Sequence, residues 1–130
     1  MSLGLKACFF SHSFAAYRVC ALQAAGGLTS EVILGEDMHM AARLLMAGAR
    51  IQYQAEAFVY HFHNYSWGQD LARYFDTGVF HASQPWLLET FGRAGGEGWR
   101  YLRSEWTYLL ANAPDQIPEA LVRNVLKLSG

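Results

Sequence analysis

Gly35-Glu36-Asp37-Met38-His39-Met40-Ala41-Ala42-Arg43-Leu44-Leu45-Met46-Ala47-Gly48 decides how this chain is read. A glycine opens the stretch, two acids follow it, and a second glycine closes it. Negative side chains are favoured at the positive end of a helix dipole, and Ala, Leu, Met and Arg are strong helix formers. The stretch therefore predicts a helix that begins near Gly35 and is stopped by Gly48. Taken alone, a Glu-Asp pair at a helix start is an ordinary stabiliser worth about 0.3–1 kcal/mol.

Working outward, residues 6–10 (KACFF) predict a short buried strand and Ser11-His12-Ser13 a turn. Residues 14–25 predict a helix closed by Gly26-Gly27, which take a left-handed cap without a Cβ penalty. Residues 28–34 read as loop or extended chain. Beyond Gly48, residues 50–53 and 57–61 predict strands because β-branched and aromatic side chains dominate them. Ser66 and Gln69 have the spacing of a capping box, and Trp67, Leu71, Phe75 and Val79 follow at intervals of four. Pro85 breaks or kinks that run. Trp99, Leu102, Trp106 and Leu109 predict one amphipathic helix; Ile117, Leu121, Val125 and Leu128 predict another, with Pro118 in its first turn. The expected fold class is thus a mixed, predominantly helical α/β fragment with two or three short strands and a helical tail. So few strands make a poor sheet unless something covers or extends it. That inventory points to a fragment or an obligate oligomer.

Composition narrows the partners. The chain has 130 residues, of which 52% are hydrophobic and 16% charged, so it is long and apolar enough to bury a core. A net charge of −1 without a basic run gives no nucleic-acid footprint. Cys8 and Cys20 make neither a disulfide framework nor a zinc site, and buried free thiols in a reducing cytoplasm are the expectation. No apolar run approaches the length of a membrane span, which leaves a cytoplasmic chain with peripheral membrane contact open. Aromatic residues reach 15%, and many sit in the second half. Three roles stand for the aromatic tail: packing on the core, a homo-oligomer interface, or contact with a membrane.

His61 and His63 share one face if their segment is extended, so the pair can hold a metal, as can a cluster with His39. A His-x-His without a third ligand at fixed spacing is more often a hydrogen-bonded pair. His12 and His81 read as packing or surface residues.

The order of these pieces carries more than any one of them. Residues 11–28 (SHSFAAYRVCALQAAGGL) and 32–67 (VILGEDMHMAARLLMAGARIQYQAEAFVYHFHNYSW) resemble the second half of the GT-A catalytic domain in family-2 glycosyltransferases. They are most similar to rhamnosyltransferase-like members, with the pattern S-N-S-F-A-A-Y-R, G-G-F, G-E-D, A-R-L-L-x-A-G and V-x-H-x-H-x-Y. The resemblance covers roughly residues 9–81. It implies an acceptor-side half of the catalytic domain over 1–81, with 1–4 as an expression leader, and a helical extension over 82–130. It implies an inverting transfer of a sugar, with rhamnose the candidate, from a nucleotide-sugar donor to a saccharide or glycolipid acceptor in bacterial polysaccharide synthesis.

Residue by residue, the resemblance makes Asp37 the general base that takes the acceptor hydroxyl's proton, with Glu36 orienting the acceptor or holding the loop. It puts His61, or alternatively His63, at a divalent metal (Mg or Mn) bound only in the full-length enzyme. Ser11, Ser13 and Arg18 would line the acceptor or diphosphate side of the cleft, with a turn cap the alternative for both serines. Two departures stand out: His12 occupies the usual asparagine position, and the chain contains no D-x-D and no nucleotide-binding strands. The polypeptide alone is therefore expected to have negligible transferase activity. The competing readings are a non-enzymatic helical interaction module and a small metal-binding protein using Asp37, His61 and His63.

Overall fold

A backbone that enters a helix with a positive φ needs a residue without a side chain, and Gly35 is that residue. In the computed structural model, which describes residues 3–92 and 96–129, Gly35 has φ +82° and caps the predicted helix, here Glu36–Met46. The chain also forms shorter helices at Val19–Ala24 and Pro85–Phe91, and longer ones at Trp67–Ser83, Glu97–Asn112 and Ile117–Ser129. In chain order these are α1 (Val19–Ala24), α2 (Glu36–Met46), α3 (Trp67–Ser83), α4 (Pro85–Phe91), α5 (Glu97–Asn112) and α6 (Ile117–Ser129). Three 3-10 turns, Gly4–Cys8, His12–Phe14 and Pro114–Gln116, complete the order.

Helix α2 lies at the centre because its short side chains let neighbours approach from two sides. Ala41 and Ala42 are fully buried against Leu5, Cys8, Phe80, Leu87 and Phe91, which come from the first 3-10 turn, α3 and α4. Met40 and Leu44 turn toward Ala25, with Tyr17, Ala21 and Leu22 packed beside them. Two small apolar clusters thus share one helix. Phe80 lies so close to Gly35 that a Cβ there would meet three of its ring atoms at 2.8 Å.

The α/β expectation is overturned: among the described residues there is no strand, and the ordered elements are helical. Residues 6–10 were expected as a strand, yet Gly4–Cys8 winds as a 3-10 turn with local bonds such as Phe9 N–H to the Lys6 carbonyl at 3.1 Å. Residues 50–53 and 57–61 are exposed throughout and irregular; their segment makes the turn bond from Ala57 N–H to the Gln54 carbonyl at 3.2 Å. A strand is held by a ladder to a neighbour, and composition alone supplies no neighbour. The first predicted helix is also shorter than expected, since residues 15–18 stay extended before Val19. One result is that Cys20, expected buried like Cys8, is exposed.

The capping box is present, with Ser66 N–H donating to Gln69 Oε1 at 2.9 Å and Gln69 N–H to Ser66 Oγ at 3.4 Å. The periodic stripes fall on unexpected faces. Trp67, Leu71, Phe75 and Val79 share one face of α3 and are all exposed, as are Leu121, Val125 and Leu128 on α6. Ala120 is buried on α6, Val122 and Leu126 of α6 and Leu102, Trp106 and Leu109 of α5 are half-buried, and polar contacts join α3, α5 and α6 as well. Arg123 pairs with the buried Asp70 and with Glu119, Asn124 donates to Glu105 at 2.7 Å, and Lys127 stands 4.4 Å from the Tyr101 ring centroid. Lys6 clips the start of the chain to Glu97 at the head of α5; that hydrogen bond, with Arg100 nearby, holds the Glu97 carboxyl below its ordinary range. Among the described residues no helix is long and apolar enough to cross a membrane.

Gly35→Ala is expected to destabilise the fold by at least about 2 kcal/mol, from left-handed strain plus displacement of Phe80, read by thermal denaturation. Arg123→Met leaves Asp70 buried without its guanidinium. A loss of about 1–3 kcal/mol is expected in urea unfolding, larger than that for Asp70→Asn.

Candidate functional site

Ser11 begins the candidate site by capping the turn that follows it. Its Oγ accepts the Ser13 N–H at 3.2 Å and donates to Ser13 Oγ at 3.0 Å. Ser13 Oγ then lies 3.4 Å from His61 Nε2, across 48 residues of sequence. The His61 and His63 rings pack edge to face with centroids 4.2 Å apart. Tyr65 stacks on His63 at 4.8 Å and accepts a hydrogen bond from Arg73 at 3.3 Å. The 11–13 turn and the exposed 61–65 segment therefore form one polar, aromatic surface. Both serines bond within the turn, and Ser13 also faces His61.

Asp37 and Glu36 stand in the first turn of α2, both half-buried, where the helix dipole favours negative charge. Asp37 Oδ1 accepts the Met38 N–H at 2.8 Å. Its charge also reaches Tyr17: burial, and then Asp37, push the Tyr17 phenol up to about 12. Tyr17 in turn is hydrogen-bonded to His12 Nδ1, and the two rings lie 5.5 Å apart. Arg18 is exposed and caps α1 through its carbonyl, which accepts the Ala21 and Leu22 amides at 3.0 Å.

Of the seven residues named from sequence, four gather directly: Ser11, Ser13, His61 and His63. Tyr17 was given no role by sequence reasoning and His12 only a packing or surface one, yet the two are bonded to each other and Tyr17 feels the Asp37 charge. The metal cluster with His39 does not form: His39 packs edge-on against Trp86 at 5.4 Å, and no group of three His, Cys, Asp or Glu side chains gathers among the described residues.

The chain is similar to known rhamnosyltransferases. It is 54% identical over 129 residues to the O-antigen chain rhamnosyltransferase WbaN of Salmonella anatum, covering 99% of this chain and 41% of that protein. It is 50% identical over 128 residues to the O-antigen chain rhamnosyltransferase RfbN of Salmonella typhimurium strain LT2, covering 98% of this chain and again 41% of the relative. The chain thus spans about two-fifths of the length of the curated relatives it matches. No family model matches it. No solved structure matches it. The likeness to rhamnosyltransferases expected from the motif order extends along nearly the whole chain.

The Tyr17–Asp37 neighbourhood has a direct spectroscopic consequence. In an ultraviolet alkaline titration, one tyrosine is expected to ionise near pH 12, after the exposed ones, and Asp37→Asn should bring that step to lower pH. Stability should fall as pH rises from about 10 to 12, because the unfolded chain releases this proton first.

Proposed function

We propose that this chain is the acceptor-binding, general-base part of an inverting glycosyltransferase that moves a sugar, rhamnose by preference, from a nucleotide-sugar donor to a saccharide or glycolipid acceptor. The observation that carries the reading is the half-buried Asp37 at the head of α2, in a chain about half identical to two O-antigen chain rhamnosyltransferases. Its family-2 character rests on the order of the motifs around that residue. The longer protein would act at the cytoplasmic side, where nucleotide sugars are made.

In the proposed step the acceptor hydroxyl gives its proton to Asp37 as its oxygen bonds to the anomeric carbon. The bond from that carbon to the diphosphate breaks, the diphosphate leaves with the electron pair, and the configuration inverts. A carboxylate positioned against the hydroxyl contributes through proximity as much as through basicity. Glu36, one residue earlier in the same turn, orients the acceptor or holds the loop. Ser11 and Ser13 offer hydroxyls on the side where His61 and His63 stand, and Arg18 offers an exposed guanidinium from the same segment.

Two adjacent imidazoles are a partial ligand set, and hard divalent ions favour oxygen donors. His61 or His63 would contribute one nitrogen to a Mg²⁺ or Mn²⁺ in the longer protein, with diphosphate oxygens and residues outside this chain completing the shell. When bound, such an ion neutralises the departing diphosphate.

The test is transfer from a nucleotide-linked rhamnose by the longer protein. Asp37→Asn should lower kcat by about 10²–10⁴-fold with the fold intact by circular dichroism. Retained turnover would return Asp37 to a structural role and favour the interaction-module reading, which the exposed stripe Trp67, Leu71, Phe75 and Val79 supports.

A further inference from the structure

A concavity lies on the face of α2 away from Asp37. Along a helix of 3.6 residues per turn, His39 stands about 200° around from Asp37, whereas His39, Arg43 and Met46 share one stripe. That stripe, the 26–31 loop and Trp86 of α4 enclose an open cleft of about 680 Å³. Gly26, at φ +89°, makes room for the guanidinium: a Cβ there would lie 2.2 Å from Arg43 Nη2. The loop is shaped by the Glu31 N–H donating to Thr29 Oγ1 at 3.1 Å.

The lining argues for the class of ligand. Arg43 and Glu31 bring one charge of each sign, so neither an anion nor a cation is preferred. Burial, then Arg43, pulls His39 below its ordinary value, against a smaller opposing pull from Glu31. The His39 ring lines the cleft, with its Nδ1 buried away from it. Thr29 and Ser30 add hydroxyls to the lining. Trp86 has already given its Nε1–H to Gln84 Oε1 at 2.8 Å, so its ring offers the cleft an apolar surface. A neutral, polyhydroxylated molecule with one apolar face matches this combination of a ring, a fork of donors and a carboxylate acceptor.

We propose that the cleft between the 26–31 loop, α2 and Trp86 is a saccharide-binding subsite, turned away from Asp37, that holds a neutral sugar unit through Arg43 and Glu31, with the Trp86 and His39 rings lining it. Its place suits a unit of a chain-like acceptor that is not the one reacting. The choice of rhamnose as probe rests on the transferase reading; the neutral-sugar class rests on the lining alone.

The test is a ¹⁵N-edited NMR titration of the 130-residue chain with L-rhamnose, D-mannose and D-glucose in turn, and with inorganic phosphate as the charged control. Saturable shifts are expected at His39, Arg43 and the Trp86 indole with at least one of the sugars. Arg43→Ala and Ser30→Arg, both at positions outside the buried core, should raise that Kd by at least about fivefold, while Asp37→Asn leaves it within about twofold. The proposal is overturned if no sugar shifts these signals, if phosphate alone does, or if Asp37→Asn weakens binding as much as Arg43→Ala. Such a failure leaves the transferase reading untouched, because that reading is decided by turnover of Asp37→Asn in the longer protein. Loss of the transferase reading with sugar still in the cleft would separate the two in the opposite sense.

Discussion

The close approach of Phe80 to Gly35 is the constraint on which the arrangement around α2 depends. It fixes the end of α3 against the entrance of α2, and α2 supplies side chains to both apolar clusters. Ala41 and Ala42 bring the first 3-10 turn and α4 close on one side, while Met40 and Leu44 gather the 17–25 segment on the other. The placement of the two candidate regions follows from this: Asp37 stands at the head of α2 near Tyr17, and the cleft beside His39 and Arg43 opens on another face of the same helix.

Elements governed by local chemistry were legible in the sequence. Gly35, the two acids and Gly48 bracket α2 as read, and Ser66 with Gln69 opens α3 through the bonds their spacing implied. Strand-like composition at 50–53 and 57–61 misled, because aromatic and β-branched residues describe a surface suited to pairing and not the partner that pairs. Periodicity had a similar limit. It told which residues share a face of α3 and α6, yet Trp67, Leu71, Phe75, Val79, Leu121, Val125 and Leu128 are exposed, while Asp70 and Ala120 are buried. Hydrophobic spacing cannot foresee the ion pair of Asp70 with Arg123 or the bond of Asn124 to Glu105.

The site was partly legible for a different reason. Ser13 and His61 meet although 48 residues separate them, and only the order of the motifs suggested that they belong together. Tyr17 and His12 were missed because their bond depends on how the 11–18 loop folds back, which no spacing rule encodes. The cleft was missed for want of its last wall: His39 and Arg43 stand four residues apart on one helix face, but Trp86 reaches them from more than forty residues away.

The seam between α3, α5 and α6 gives the molecule two kinds of cohesion. Around α2, contact is made by methyls and rings, which ionic screening does not weaken. Where α6 lies on α3 and α5, a buried carboxylate, a partly exposed guanidinium, an amide and an ammonium over a ring do the holding, and such contacts loosen as ionic strength screens them. The tail is fastened in part by charge and the centre by apolar contact, so screening acts on the exposed members of the first and not on the second.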